Sequence, residues 1–153
     1  MINIIRADYF ASFLSHGSFV NICYRFLFDP GFQAVSIYRV YSSFHRRGSF
    51  LRVLSKIIWR INVILNSCYI MPNAVIGKGL CLPHPVGVII GEGVNIGEGV
   101  TIYQGVTLGV SKRGRKDYPT VGNGVTIYAA TIVYGAVHIE DGLTISCNSV
   151  VSN

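Results

Sequence analysis

Among the four histidines of the chain, one has a setting that suits chemistry. His84 is held between two prolines in Leu82-Pro83-His84-Pro85-Val86-Gly87, and a neutral imidazole accepts a proton near pH 7. Read alone, the segment leaves two alternatives open: a turn histidine or a general base. A second feature is the run of cations Lys112, Arg113, Arg115 and Lys116 around Gly114, which suits a phosphorylated anion or a solvated loop. It lacks the interleaved aromatics and recognition helix of a nucleic-acid module, so no nucleic-acid partner is expected. Cys23, Cys68, Cys81 and Cys147 show no CxxC spacing. They read as reduced core thiols, not as a disulfide set or a zinc site, and no metal is expected. His16, His45 and His138 read as surface or packing residues.

The elements that must position these groups are written in the aliphatic spacing. Ile90, Ile96, Ile102 and Leu108, then Val121, Ile127, Val133, Ile139, Ile145 and Val151, recur every sixth position. That period fits neither a helical turn nor a plain alternating strand, and suits short flat strands joined by tight corners. A parallel β-helix follows, with one aliphatic residue per face pointing inward. The repeat breaks twice. Leu82 to Ile90 carries two extra residues, and Leu108 to Val121 carries seven, so a bulge and a basic loop must protrude. Allowing for both, Leu82, Ile102, Ile127 and Ile145 fall in one column, with His84, Gln104 and Ala129 on the adjacent outward position.

Residues 1–68 have no such period and are rich in aromatics and aliphatics. They read as three helices, breaking near Asp29-Pro30 and Gly48. In the last, Leu54, Ile57, Ile58, Ile61 and Leu65 share one side that must be buried, against the other helices, the first coil or another subunit. Arg46, Arg47, Arg52, Lys56 and Arg60 punctuate that helix, which suits a cap over the β-helix better than a peripheral contact with an anionic membrane. The fold class expected is α+β: an N-terminal helical region, 1–68, then a β-helix, 69–153. With 153 residues, half of them apolar and 13% charged, part of the apolar surface is expected in subunit contacts. No secretory signal or membrane-length apolar run is present, so a cytoplasmic protein is expected, at most at the inner face of the membrane.

The run Leu82–Glu92 followed by Ile102-Tyr103-Gln104-Gly105-Val106-Thr107-Leu108-Gly109 resembles the serine acetyltransferases, and the similarity covers roughly residues 29–151. These are hexapeptide-repeat acyltransferases. The resemblance implies a left-handed parallel β-helix, a homotrimer with sites in the clefts between neighbours, a higher assembly through the N-terminal helices, and acetyl-CoA lying along the coil. By this resemblance His84 is the general base, oriented by a main-chain carbonyl or Glu92. Backbone N–H groups around Gly109 and Val110 would stabilise the oxyanion. Ala129 and Ala130, with Cys147 in the next coil, would border the pantetheine arm, and Lys112 and Arg113 would meet the phosphates.

Three departures bear on the acceptor. The acid expected before the first hexad is Tyr69, the acid expected before the histidine is Pro83, and the expected Arg-His pair is Asp117-Tyr118. An amino-acid acceptor needs a cation for its carboxylate and an anion for its ammonium, and both are missing from those places. The expectation is therefore a saccharide acceptor, as in the related O-acetyltransferases of polysaccharide biosynthesis, contacted by Gln104, Tyr103, Asp117 and Tyr118, with Tyr128 adding a further ring face. The rival expectations are serine O-acetylation for cysteine biosynthesis and a noncatalytic trimeric scaffold.

Overall fold

In the computed structural model, which describes all 153 residues, four helices precede a three-sided parallel β-helix. The helices are α1 (Ile2–Phe13), α2 (Phe19–Phe28), α3 (Pro30–His45) and α4 (Ser49–Asn66). The helix expected first is thus two. Leu14 takes a left-handed conformation at φ 52°, and Ser18 caps α2 by accepting from the Asn21 N–H at 3.3 Å. At the expected break, Asp29 accepts from the Phe32 N–H at 2.8 Å and Pro30 fills the first turn of α3.

Three sheets form the prism. The first holds β1 (Tyr69–Ile70), β3 (Ile89–Ile90), β6 (Thr107–Gly109), β9 (Ile132–Tyr134) and β12 (Val150–Ser152). The second holds β2 (Val75–Ile76), β4 (Asn95–Ile96), β7 (Thr120–Val121) and β10 (His138–Ile139); the third holds β5 (Thr101–Ile102), β8 (Thr126–Ile127) and β11 (Thr144–Ile145). Every pairing is parallel. Ile89 opposite Thr107 marks the plain coil of three hexads, while Tyr69 opposite Ile89 contains the bulge and Thr107 opposite Ile132 contains the loop. The hexad aliphatics from Ile70 to Ile139 point inward and are at most 8% exposed. Val88, Val94, Val100, Val106 and Val125 fill the corners, each buried side chain contributing about 1.5–3 kcal/mol.

The cap over the open end of the prism is α3, not the last helix. First-coil carbonyls have no strand above them, and α3 supplies side-chain donors instead. Tyr38 donates to Ala74 O at 2.8 Å, Tyr41 to Ile70 O at 2.7 Å and Ser42 to Pro72 O at 3.2 Å. Gly31 lies so close to the Leu82 carbonyl that no Cβ fits. Arg39 donates to Ile76 O and Gly77 O and also pairs with fully buried Asp8 of α1, Nε to Oδ2 and Nη2 to Oδ1, each at 2.9 Å. Asp8 Oδ1 also accepts from Gly79 N at 2.8 Å and Leu80 N at 3.0 Å, fastening α1 to a corner of the first coil.

Of the stripe expected on α4, only Ile58 packs on the core of the single chain, which leaves the rest for the third cover expected, another subunit. The buried residues of α4 are polar: Ser55 donates to Tyr41 O and Asn62 to Ala34 O, while Asn66 donates to Asn62. The stripe of Phe50, Val53, Leu54, Ile57, Ile61, Ile64 and Leu65 faces outward, because hydrogen bonds to α3 carbonyls claim the other side. The outer row of the first sheet is similarly apolar, with Tyr69, Ile89, Ile132 and Val150 exposed around half-buried Thr107. The third sheet presents Thr101, Thr126 and Thr144.

Candidate active site

The bulge places His84 on the edge where the chain passes from the third sheet to the first, with its side chain exposed. The register there differs from the expected one. Gly105 N donates to Val86 O, Ala130 N to Gln104 O and Asn148 N to Ala129 O, so the column is Val86, Gln104, Ala129 and Cys147. His84 is not stacked on Gln104; it lies within the two-residue insertion that pushes out from this column. Beside the column, Tyr103 and Tyr128 stack with ring centroids 5.0 Å apart and planes 18° off parallel. Their contact makes one aromatic surface next to small Ala129, a pairing that hexad spacing alone predicts.

The remaining expected residues lie on the next edge, between the first and second sheets. Gly109 and Val110 end β6, and the loop with Lys112, Arg113, Arg115 and Lys116 leaves from there. Within one chain Glu92 and His84 stand on different edges. Glu92 sits at the corner after β3 and faces the Tyr118 hydroxyl, which donates to its Oε1 at 3.4 Å. The Tyr118 ring lies over Gly91 and Gly93, closely enough at Gly93 to leave no room for a Cβ. The four residue steps from Gly105 to Gly109 cross this face of the prism, which at strand rise is about 13 Å. The residues expected at the site therefore fall into two groups on one chain. His84, Tyr103, Gln104, Ala129, Ala130 and Cys147 occupy one edge, and Glu92, Gly109, Val110, the cations, Asp117 and Tyr118 the other.

The loop has internal order that motif reading passes over. The Ser111 hydroxyl donates to Asp117 Oδ2, and Arg115 Nη1 stands 3.8 Å from the same oxygen. The Ser111 hydrogen bond, aided by nearby Arg115, holds the Asp117 carboxyl below the ordinary carboxylate range. Asp117 Oδ1 is shielded from solvent and has no hydrogen-bond partner. A cation and an anion thus stand together within two residues of the places that the expected Arg-His pair would occupy. Burial and the neighbouring Glu92 carboxylate push the Tyr118 hydroxyl above its usual range. No helix is long and apolar enough to cross a membrane, and no group of three His, Cys, Asp or Glu side chains is placed to hold a metal ion.

A hexad-built prism with a histidine bulge on one edge and a basic loop on the next defines a hexapeptide-repeat acyltransferase. The chain is 38% identical over 126 residues to the serine acetyltransferase of Helicobacter pylori, covering 82% of this chain and 72% of that protein. It is 35% identical over 137 residues to that of Synechococcus elongatus, covering 89% of this chain and 53% of the relative. The crystal structure of the Vibrio cholerae serine acetyltransferase superposes with a TM-score of 0.88 at 27% identity, covering 99% of this chain and 58% of that one. A serine acetyltransferase in complex with CoA gives 0.84 at 27% identity, covering 99% and 62%. No protein-family model matches the chain. This chain belongs to the serine acetyltransferase family and is by class an O-acetyltransferase with the left-handed parallel β-helix of that family.

The comparisons overturn the expected saccharide acceptor. The relatives and solved neighbours are serine acetyltransferases, which favours the serine reading set out above as its rival. The physical error lay in reading the acceptor from two positions: Asp117-Tyr118 in place of an Arg-His pair shows which charges those two positions lack, and does not fix what the whole site binds. Polysaccharide biosynthesis has no support in these findings.

Proposed function

We propose that the protein transfers the acetyl group of acetyl-CoA to the hydroxyl of L-serine. The observation that carries this reading is His84, exposed on a bulge at the edge of the prism, in a chain 38% identical to a serine acetyltransferase. His84 removes the proton of the serine hydroxyl as its oxygen bonds to the thioester carbonyl carbon. The tetrahedral intermediate then breaks its C–S bond, and the imidazolium returns the proton to the CoA thiolate. No covalent enzyme intermediate is required. The small edge at Ala129 and Ala130 fits the pantetheine arm, and Lys112 and Arg113 suit its phosphates.

The two edges act together only between copies. A neighbour seated along the apolar outer row of the first sheet would bring its loop edge to His84, and the outward stripe of α4 would be covered in the same assembly. A homotrimer meets this need by cyclic symmetry. Incubation with acetyl-CoA and L-serine should release thiol, read with a disulfide dye, and His84→Ala should abolish it. Absence of serine-dependent thiol release from the folded wild type refutes the reading. Sedimentation showing only monomer under assay conditions refutes the shared site.

A further inference from the structure

We propose that α2 docks on an anionic lipid surface, its apolar outer face among the lipids and the cations of the helical region drawn to the headgroups. The inference concerns where the protein works and does not depend on the acceptor.

Three observations carry it. First, α2 turns its polar side toward the protein. Asn21 and Arg25 share that side, and the Arg25 guanidinium lies over the Phe13 ring of α1, 4.3 Å from its centroid. Phe19 and Val20 are 80% and 73% exposed, Cys23, Tyr24, Leu27 and Phe28 are exposed with them, and no residue of α2 is buried. The α4 stripe is left to a subunit contact; α2 has no such cover. Second, the charge is divided between the two regions. Residues 1–68 hold eight Lys and Arg but two carboxylates, Asp8 engaged with Arg39 and Asp29 with the first turn of α3. Residues 69–153 hold five of each, so the whole excess of six positive charges lies on the helices. Arg46, Arg47, Arg52, Lys56 and Arg60 pair with no carboxylate of the chain. That division selects the occupant. Seating two helical regions face to face would press like charges together, whereas anionic lipids attract them. Third, an apolar groove of about 480 Å³ lies beside α2, walled by Ile22, Phe26, Ile37, Val40 and Ile58, where a lipid chain can enter next to the helix.

Flotation of the intact protein with vesicles tests the docking. Phosphatidylcholine vesicles carrying about one-third phosphatidylglycerol should bind it about tenfold or more tightly than phosphatidylcholine alone. Raising the salt from about 0.05 M to about 0.5 M should release it. The anionic vesicles should slow alkylation of Cys23 and leave Cys147, on the prism, at its own rate. Val20→Glu combined with Leu27→Glu should abolish binding, while thermal melts and thiol release in solution match the wild type, because both side chains are exposed. Equal binding to neutral and anionic vesicles refutes the proposal, as does a double variant that still floats. A wild type that floats with neither vesicle also refutes it, and if the double variant then sediments as a smaller species, the face belongs to a second copy. None of these results bears on the serine reading, which serine-dependent thiol release decides by itself.

Discussion

Replacing Asp8 by alanine tests the fastening of the helices to the prism most severely. Asp8 is fully buried and accepts four hydrogen bonds, two from Arg39 and two from the amides of Gly79 and Leu80. The substitution leaves the guanidinium of Arg39, itself only 8% exposed, with two carbonyl partners and no counter-charge. Breaking a buried pair by removing one partner costs about 3–5 kcal/mol. Each orphaned amide that water cannot reach adds about 1–3 kcal/mol. Water entering the vacated space offsets part of this, so a net loss of about 3–5 kcal/mol is expected, a large share of the roughly 5–15 kcal/mol that holds a domain folded. Urea unfolding followed by far-UV circular dichroism, at fixed protein concentration, measures the loss. Amide exchange should show Gly79 and Leu80 opening first. Arg39→Met added to Asp8→Ala should recover part of the loss, because it removes the stranded cation. A loss below about 1 kcal/mol, or a double variant no more stable than Asp8→Ala, would refute this account of the fastening.

Ala130 adopts a left-handed conformation at φ 58°, in the corner position where Gly87 and Gly105 sit in earlier coils. Ala130→Gly should therefore stabilise the protein by about 0.5–1 kcal/mol, measured by urea midpoint, the relief of strain outweighing the added freedom of the unfolded chain. Cys23 and Cys147 are exposed, whereas burial pushes the Cys68 thiol up to about 12. A thiol reagent at pH 8 should thus modify the first two rapidly and spare Cys68 until the protein unfolds, and coenzyme A should protect Cys147 if the donor runs along its edge. The Asn123 N–H groups hold the exposed Asp141 carboxyl below its ordinary value of 3.8. Its folded pKa being depressed, the Asn123–Asp141 contact contributes above the ordinary value of 3.8 and loses that contribution as the pH falls through the lower folded value. Asp141→Asn should flatten this part of an acid-unfolding curve.

The prism was legible because its period is strict. One inward aliphatic every sixth residue leaves little freedom, and both interruptions fell where the structure has its bulge and its loop. The helices were less legible. Leu14 carries no sign that it ends a helix, and the outward stripe of α4 looks like any core-facing stripe until Ser55, Asn62 and Asn66 are seen hydrogen-bonded to α3. His84 stood out by its flanking prolines, but the hydrogen-bond register, not hexad counting, shows that the insertion displaces it from the column of Gln104. Within the loop, the partnership of Ser111, Arg115 and Asp117 depends on a turn at Gly114, φ 88°, that the residue string does not reveal.

The location of the cap has an evolutionary corollary. α3 closes the prism directly above the rung that carries His84, so that residue lies within one storey of the closed end. Rungs farther along touch only the rungs on either side. Descendants can duplicate or delete a distal storey, lengthening or shortening the prism, while the rung of His84 stays undisturbed.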